Sequence, residues 1–257
     1  MHVFWMPILA AAVLFISAGQ VHAHFGMAIP SNPAATAEQR EVGVTFSFSH
    51  PFAGVGMVLE KPAACGVVHE GEKTDLLNEL KKTEVMGERS WVVNYRPKRP
   101  GVYNFFMEPK PYWEPAEDCY IVHYTKVSLP AFGGDEGWDE PVGLKTEIVP
   151  LLRPFGNYAG NAFSGIVLMD GKPVPYAEVE VELYNRGRFE MPSEYHETQV
   201  IKADENGVFS FTCPVEGWWG FAALNTADET MPGPGGEEKD IELGAVFWTY
   251  MHGWDSK

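Results

Sequence analysis

Residues 41–52 read EVGVTFSFSHPF, and this stretch decides the fold class. Glycine, threonine and serine alternate there with apolar side chains and one histidine. The side chains at every second position are Val42, Val44, Phe46, Phe48 and His50. In an extended strand, alternate residues share one face of the sheet. The pattern therefore predicts a β-strand with one apolar face, which ends at an inward-pointing histidine.

The same period of two recurs along most of the chain. SWVVNYRP (90–97), GVYNFFMEP (101–109) and YIVHYTKV (120–127) alternate or are rich in β-branched and aromatic residues, which favour strands. Proline and glycine interrupt these runs roughly every 8 to 12 residues, a spacing typical of sandwiches and barrels. Only DLLNELKK (75–82) has a helical pattern, and it is short. The sequence predicts an all-β protein.

A second unit begins near residue 157. GNAFSGIVLMDGKPVPYAEVEVELYN (160–185) and VIKADENGVFSFTCP (200–214) each read as a strand, a turn and a strand, with the turns at Asp170-Gly171 and Asn206-Gly207. This order resembles the transthyretin-like, carboxypeptidase-regulatory-like sandwich, a resemblance that implies fold alone. We expect two β-sandwich domains, residues 24–154 and 155–257.

The chain starts with the features of a secretory signal peptide. An apolar run from Val3 to Ile16 is followed by Val21 and Ala23, at the minus-three and minus-one positions of a cleavage site. The run is shorter than the roughly 20 residues that span a bilayer. We expect residues 1–23 to be removed on export to the periplasm, without membrane insertion afterwards. His24 then becomes the first residue.

Charge and cysteine content narrow the partners and the chemistry. The formal net charge of −16 repels phosphate backbones and attracts cations, so we expect no nucleic-acid partner. The three cysteines contain no CxxC pair, which argues against a structural zinc cluster. An oxidising compartment allows one disulfide, for which Cys65 with Cys119 is preferred because both lie in the same predicted domain. The alternative is three reduced thiols.

Cleavage after Ala23 gives His24 an α-amine beside its imidazole. Both nitrogens lose their protons easily near neutral pH, with reference pKa values of about 7.7–8.0 and 6.5. One residue can then chelate a metal ion through two nitrogens, which suits Ni²⁺, Cu²⁺ or Zn²⁺ better than Mg²⁺ or Ca²⁺. The alternative is a frayed terminal residue.

Two further histidines have the strand context of a ligand. His50 ends its strand on the apolar face, and His123 shares a face with Ile121 and Thr125. Together with the amine, three imidazoles nearly fill a square or square-pyramidal metal site. Each is alternatively a core histidine that has found a hydrogen-bond partner.

An acidic stretch with two aromatic residues, MEPKPYWEPAEDC (107–119), is the next candidate part of a site. Its carboxylates crowd around Tyr112 and Trp113, and they are able to wall a cation site or hydrogen-bond its ligands. The alternative is a solvated loop. The sequence contains no nucleophile or metalloprotease motif of the GxSxG or HExxH type, and we expect no enzyme.

Several stretches resemble one family. They are HFG directly after the leader, SFSHPFAGVGM (47–57), GEKTDLL (71–77), RPGVYNFFMEPKPYWEPAEDCYIVHYTK (99–126) and GWDEPVGLKTEIVPL (137–151). The resemblance is to the periplasmic, nickel-binding accessory component of energy-coupling-factor nickel transporters, a domain-of-unknown-function group. It implies a protein that captures Ni²⁺ and supplies the membrane-embedded substrate-binding subunit. Matched positions suggest His24, His50 and His123 as metal ligands, with Glu108 and Tyr112 as weaker additions.

Copper chemistry is the alternative function. A histidine-brace oxidase similar to the polysaccharide monooxygenases also starts with histidine, as does a periplasmic copper chaperone. Ligand type does not separate these metals, because affinity for such sites generally rises from Co²⁺ through Ni²⁺ to Cu²⁺ and falls again at Zn²⁺. The family resemblance makes nickel the expected cargo, with Cu²⁺, Co²⁺ and Zn²⁺ as alternatives.

Overall fold

The structure, a computed structural model, describes residues 24–254. The predicted signal peptide lies outside the described residues, so its cleavage stays a prediction. The strands of the first part of the chain are β1 (Phe25–Pro30), β2 (Val42–His50), β3 (Val55–Met57), β4 (Ala64–His69), β5 (Glu72–Asp75), β6 (Lys81–Val85), β7 (Glu88–Tyr95), β8 (Gly101–Glu108), β9 (Tyr112–Glu114), β10 (Cys119–Ala131) and β11 (Thr146–Pro150). The second part contains β12 (Asn157–Tyr158), β13 (Ala162–Met169), β14 (Lys172–Pro173), β15 (Glu178–Leu183), the short helix α1 (Glu194–Glu197), β16 (Gln199–Lys202), β17 (Val208–Thr212), β18 (Gly217–Thr226), β19 (Met231–Pro232), β20 (Glu238–Lys239) and β21 (Ile241–His252).

Five strands form a front sheet in the order β1-β2-β7-β6, with β3 paired to β2. β1 and β2 are antiparallel, and Gly26 lies opposite Phe48. The predicted apolar face of β2 points inward, since Val42, Val44 and Phe46 are fully buried. His50 is the last residue of this strand, as its position in the sequence pattern predicted.

Ten strands form a central sheet that runs through both halves of the chain. Its main order is β16-β15-β18-β21-β10-β8-β4-β5, with β9 on β10 and β12 on β21. β10 and β21 are parallel neighbours, and His123 lies level with Gly244. β21 is buried on both faces, because Trp248 belongs to one hydrophobic core and Phe247 to another. This explains its nearly continuous apolar sequence.

A back sheet of β11-β13-β14, with β17 on β13, covers the other face of the central sheet. Its core contains Phe163, Phe221 and Phe247. The ring centroid of Phe163 is 4.5 Å from that of Phe221 and 5.2 Å from that of Phe247. The predicted turn at Asp170-Gly171 joins β13 to β14, and both residues have positive φ, 49° and 72°, as a two-residue hairpin requires.

The molecule is therefore all-β, with front and back sheets packed on opposite faces of one central sheet. This confirms the predicted β-sandwich architecture. The expected division at residues 154 and 155 stays a prediction, although β21 of the second part pairs with β10 of the first.

The helix predicted for residues 75–82 is wrong. This segment ends β5, makes a turn and begins β6. Asp75 accepts a hydrogen bond from the Leu77 amide (2.8 Å), a local bond that competes with helix formation. Leu76 and Leu80 are buried in the front core, and this burial outweighs their helical spacing. No helix within residues 24–254 has the length and apolar character needed to cross a membrane.

Candidate metal centre

His24 is the first residue of the site and lies directly before β1. Its side chain is buried, with 8% of its surface exposed. The Nε2 atom is 2.9 Å from Oε2 of Glu114, and the Nδ1 atom is 3.5 Å from Oε1 of Glu117. The other oxygen of Glu114 accepts a hydrogen bond from the Ala116 amide (2.9 Å). Glu114 is thus held by its own turn while it binds the imidazole.

His50 lies beside His24 at the end of β2. The two ring centroids are 4.7 Å apart. With metal–nitrogen bonds of about 2.1 Å, two adjacent imidazole ligands of one ion have centroids about 4.5 Å apart. The spacing of this pair therefore matches two ligands of one metal ion.

His123 approaches the same place from β10 of the central sheet. Its Nδ1 accepts a hydrogen bond from the Gly26 amide (3.3 Å). Because Nδ1 accepts, Nε2 carries the proton and donates to Oε1 of Glu242 (3.1 Å). Phe48 lies between the histidines, stacked on His24 at 5.8 Å and edge-on to His123 at 5.7 Å.

Two glycines make room for His123. A Cβ atom on Gly244 would lie 2.3 Å from Cδ2 of His123, and one on Gly26 would lie 2.1 Å from Oγ1 of Thr125. Both distances are far below van der Waals contact. Gly244 leaves room for the imidazole of His123, and Gly26 lets β1 lie close to His123 and Thr125 of β10.

The surroundings change the pKa values of the cluster. Burial, followed by the neighbouring imidazoles of His50 and His123, lowers the pKa of His24 to about 4, so this ring is neutral at pH 7. Burial and the carboxylates of Glu242 and Glu114 raise the pKa of Glu117. Burial opposes ionisation of Glu242 most strongly, but the hydrogen bond from His123 and the charge interactions with His123 and His24 together lower its pKa. The site combines the neutral His24 imidazole with carboxylates that repel one another, and a bound cation would relieve that repulsion.

The predicted residues do not all meet. His24 and His50 lie side by side, and His123 contacts the ring of Phe48 that stacks on His24. Tyr112 lies at the edge, where its ring contacts Phe48 (5.2 Å) and lines a cleft of about 30 Å³ that reaches His123. Glu108 does not join them. It follows Met107, which is buried in the front core, so its own side chain lies on the other face of β8. Its charge adds to burial in raising the pKa of Tyr124, which lies on the face of the central sheet opposite His123.

Three carboxylates lie at the site: Glu114, Glu117 and Glu242. The sequence patterns singled out the first two only as members of an acidic stretch, and they missed Glu242. Glu114 and Glu117 belong to the predicted acidic wall of residues 107–119. Glu242 opens β21, and only the parallel pairing of β21 with β10, where it lies opposite Ile121, brings it to His123. The glycine two residues later was the available signal, because a glycine inside a strand often marks a close approach.

Within residues 24–254, no three His, Cys, Asp or Glu side chains already converge as a preformed metal site. The donor atoms are instead paired with each other, imidazole to carboxylate. Binding a metal ion would replace the contact between His24 and Glu117, and the one between His123 and Glu242, with bonds to the ion. Neutral imidazoles with carboxylate neighbours are suitable ligands for a divalent transition metal.

The disulfide predicted between Cys65 and Cys119 is wrong: all three cysteines of the described chain are free. Cys65 lies on β4 and Cys119 on β10, with β8 between them. Residues two strands apart are about 10 Å apart, whereas a disulfide needs Cα atoms within about 7 Å. Cys119 instead lies at the rim of the histidine site, 4.0 Å from Oε2 of Glu117.

Fold and site together define an all-β sandwich protein with a buried cluster of histidines and glutamates where its first strand begins. The chain belongs to the family described as "Domain of unknown function (DUF4198)", which matches residues 21–227. A search of curated proteins gives no match.

Several solved structures are similar over most of the chain. The D0-D1 domain of intimin is 13% identical, with 88% of this chain and 100% of that chain covered and a TM-score of 0.24. A putative carbohydrate binding protein from Bacteroides uniformis ATCC 8492 is 10% identical, with 89% and 97% covered and a TM-score of 0.26. Dimeric latent PorU from Porphyromonas gingivalis is 9% identical, with 91% of this chain but 21% of that chain covered and a TM-score of 0.25. Scores this low assign no function.

Proposed function

We propose that this protein is a periplasmic nickel carrier, which binds Ni²⁺ through His24, His50 and His123 and delivers it to an inner-membrane nickel transporter. One observation carries the proposal. Three histidines that are far apart in the sequence lie around one aromatic ring: His24 and His50 are 4.7 Å apart, and Phe48 contacts both His24 and His123. Core histidines satisfied by hydrogen bonds do not need to gather in this way.

The contact between Glu114 and His24 supports chelation by the chain terminus. A carboxylate that accepts the Nε2 proton leaves Nδ1 as the lone-pair nitrogen. Nδ1 is the ring nitrogen nearer the backbone, so it forms a small chelate ring with the α-amine that cleavage after Ala23 would release. The lowered pKa of His24 means that this ring loses no proton when it binds metal at neutral pH.

The paired state of the donors supports carriage rather than catalysis. Two of the donors have hydrogen-bond partners within the cluster when no metal is bound, His24 with Glu114 (2.9 Å) and His123 with Glu242 (3.1 Å). The free energy needed to empty the site is lowered accordingly. Easy release suits a protein that hands its cargo to the substrate-binding subunit of a transporter, and the resemblance of the sequence to nickel accessory proteins supports that partner.

The test is a metal titration of the chain exported with its own leader, after mass spectrometry has confirmed that it begins with His24. Calorimetry with Ni²⁺, Co²⁺, Cu²⁺ and Zn²⁺, with elemental analysis of the complex, gives affinity and stoichiometry. We expect one Ni²⁺ per chain. The variants for comparison are His24→Ala, His50→Ala, His123→Ala and, as the matched control outside the cluster, His196→Ala.

Each cluster variant is expected to weaken Ni²⁺ binding at least tenfold, while His196→Ala leaves it unchanged. An extra alanine before His24 moves the amine away and should weaken binding to a similar extent. Wild-type affinity in all three cluster variants would refute the proposed site. Wild-type affinity in the chain with the extra alanine would refute only the part of the proposal in which the terminal amine is a ligand.

Copper binding is the second candidate, because a chelate of amine and Nδ1 also suits Cu²⁺. Transport assays separate the two functions. If the protein stimulates uptake of Ni²⁺ by membrane vesicles that contain the transporter, nickel delivery is supported. Oxygen- or peroxide-dependent oxidation of a glycan by the copper-loaded protein would instead support a histidine-brace enzyme.

A further inference from the structure

A pocket of about 350 Å³ lies where the front sheet meets the second part of the chain. Thr45 and Ser47 line it, and they alternate along β2 with the residues of the core. They therefore face away from the histidine cluster. Tyr184, Trp218 and Tyr250 of the second part of the chain close the pocket from the side.

The walls of the pocket are suited to a flat apolar group. The rings of Trp218 and Tyr250 meet edge to face with centroids 5.3 Å apart, so the indole is held in a fixed orientation. Met27 borders the pocket but is fully buried, so the aromatic rings of the second part of the chain form its apolar wall. Such a site would receive one or two fused rings, because its volume is at the lower end of the usual range for ligand pockets.

The charge of the lining selects the rest of the ligand. No Asp or Glu lines this pocket, although the chain contains 35 of them, and Arg186 is the only charged residue of the lining. Its guanidinium lies over the ring of Tyr184, 4.5 Å from the centroid. Arg186 has a φ of 51°, an uncommon conformation for a residue other than glycine, which often marks a functional position.

We propose that this pocket binds a small organic carboxylate with a flat aromatic body. The guanidinium of Arg186 would hold the carboxylate through paired hydrogen bonds, and Trp218 and Tyr250 would contact the ring. The inference is independent of metal binding, since no lining residue belongs to the histidine cluster.

The experiment compares two probes of the same shape, indole-3-acetate and its uncharged amide, indole-3-acetamide. Both are titrated into ¹⁵N-labelled protein, and backbone and indole shifts in NMR spectra locate the site. We expect indole-3-acetate to shift the signals of Met27, Ser47 and Trp218, and to bind about tenfold more tightly than the amide, the usual effect of a charge-assisted hydrogen bond.

The variant Arg186→Gln should bind the acid about as weakly as wild type binds the amide, with binding of the amide unchanged. Arg186 is exposed, so its replacement spares the core. Arg40→Gln is the matched control, because Arg40 is also an exposed arginine over an aromatic ring, that of Phe132 at 5.3 Å, and it should bind both probes like wild type. Equal binding of acid and amide, shifts confined to another surface, or no shifts at millimolar probe would each overturn the proposal.

Discussion

Acidification should destabilise the metal-free protein, and His24 should account for much of the loss. Its pKa is lowered from 6.5 to about 4 in the folded protein, mainly by burial. Between pH 4 and pH 6.5, His24 is mostly protonated in the unfolded chain and mostly neutral in the folded chain. The free energy of unfolding therefore rises with pH across this range, and the stability present above pH 6.5 is lost as the pH falls toward 4.

The size of the effect follows from the shift. For pKa values of 6.5 unfolded and about 4 folded, the linkage relation gives a loss of about 2 kcal/mol at pH 5 relative to pH 7. A urea dependence of about 2 kcal/mol per M converts this into a fall of about 1 M in the unfolding midpoint. The His24→Gln variant lacks the titrating ring and should lose correspondingly less stability over the same range.

Urea unfolding at pH 7 and pH 5, in the presence of a chelator, measures both proteins. His196→Gln is the control, because His196 is an exposed histidine of α1, and it should follow wild type at both pH values. If wild type and His24→Gln lost the same stability between pH 7 and pH 5, then His24 would not be held neutral by its surroundings.

Three further substitutions test the structure around the site. Glu114→Gln should weaken Ni²⁺ binding by 10- to 100-fold, the usual effect of losing a carboxylate that orients a ligand, with a melting temperature close to wild type. Gly244→Ala inserts a methyl group 2.3 Å from Cδ2 of His123, so it should cost about 1–3 kcal/mol of stability in urea unfolding and weaken Ni²⁺ binding as well; a neutral result would show that the imidazole is free to move. The ammonium of Lys126 is 2.7 Å from the buried carboxylate of Glu147, and Lys126→Met leaves that carboxylate without its cationic partner. Calorimetry should show a loss of about 3–5 kcal/mol in the free energy of unfolding, with the Ni²⁺ affinity of the folded protein retained.

The sequence predicted the strands well because each sheet has at least one buried face. Alternation in residues 41–52 indicated both the strand and its inner side. The parallel pairing of β10 with β21 was out of reach, since parallel neighbours need no shared turn and leave no short-range signal. The helix predicted for residues 75–82 failed because two leucines four positions apart suit a helix, but equally suit a turn whose two ends point into one core.

The candidate site was predictable in its histidines and only partly in its carboxylates. His50 and His123 stood on apolar faces of strands, where an imidazole is conspicuous. Glu242 had no such context, because only the pairing of β21 with β10 brings its strand to the site. Glu108 was predicted from its place in an acidic stretch, but the alternation of β8 puts it on the far face of the sheet.

The second half of the chain contributes to the site by holding β1 in place. In the proposed exported form His24 is a chain terminus, and because termini are usually frayed, its role as a ligand requires that it be fixed. The indole of Trp248 donates a hydrogen bond to the Gly26 carbonyl (2.8 Å), and its ring packs edge-on against Phe25 (5.9 Å). Because β21 also supplies Glu242, one strand of the C-terminal half both anchors the residue next to His24 and hydrogen-bonds His123. The two halves share a sheet, and the histidine cluster depends on both.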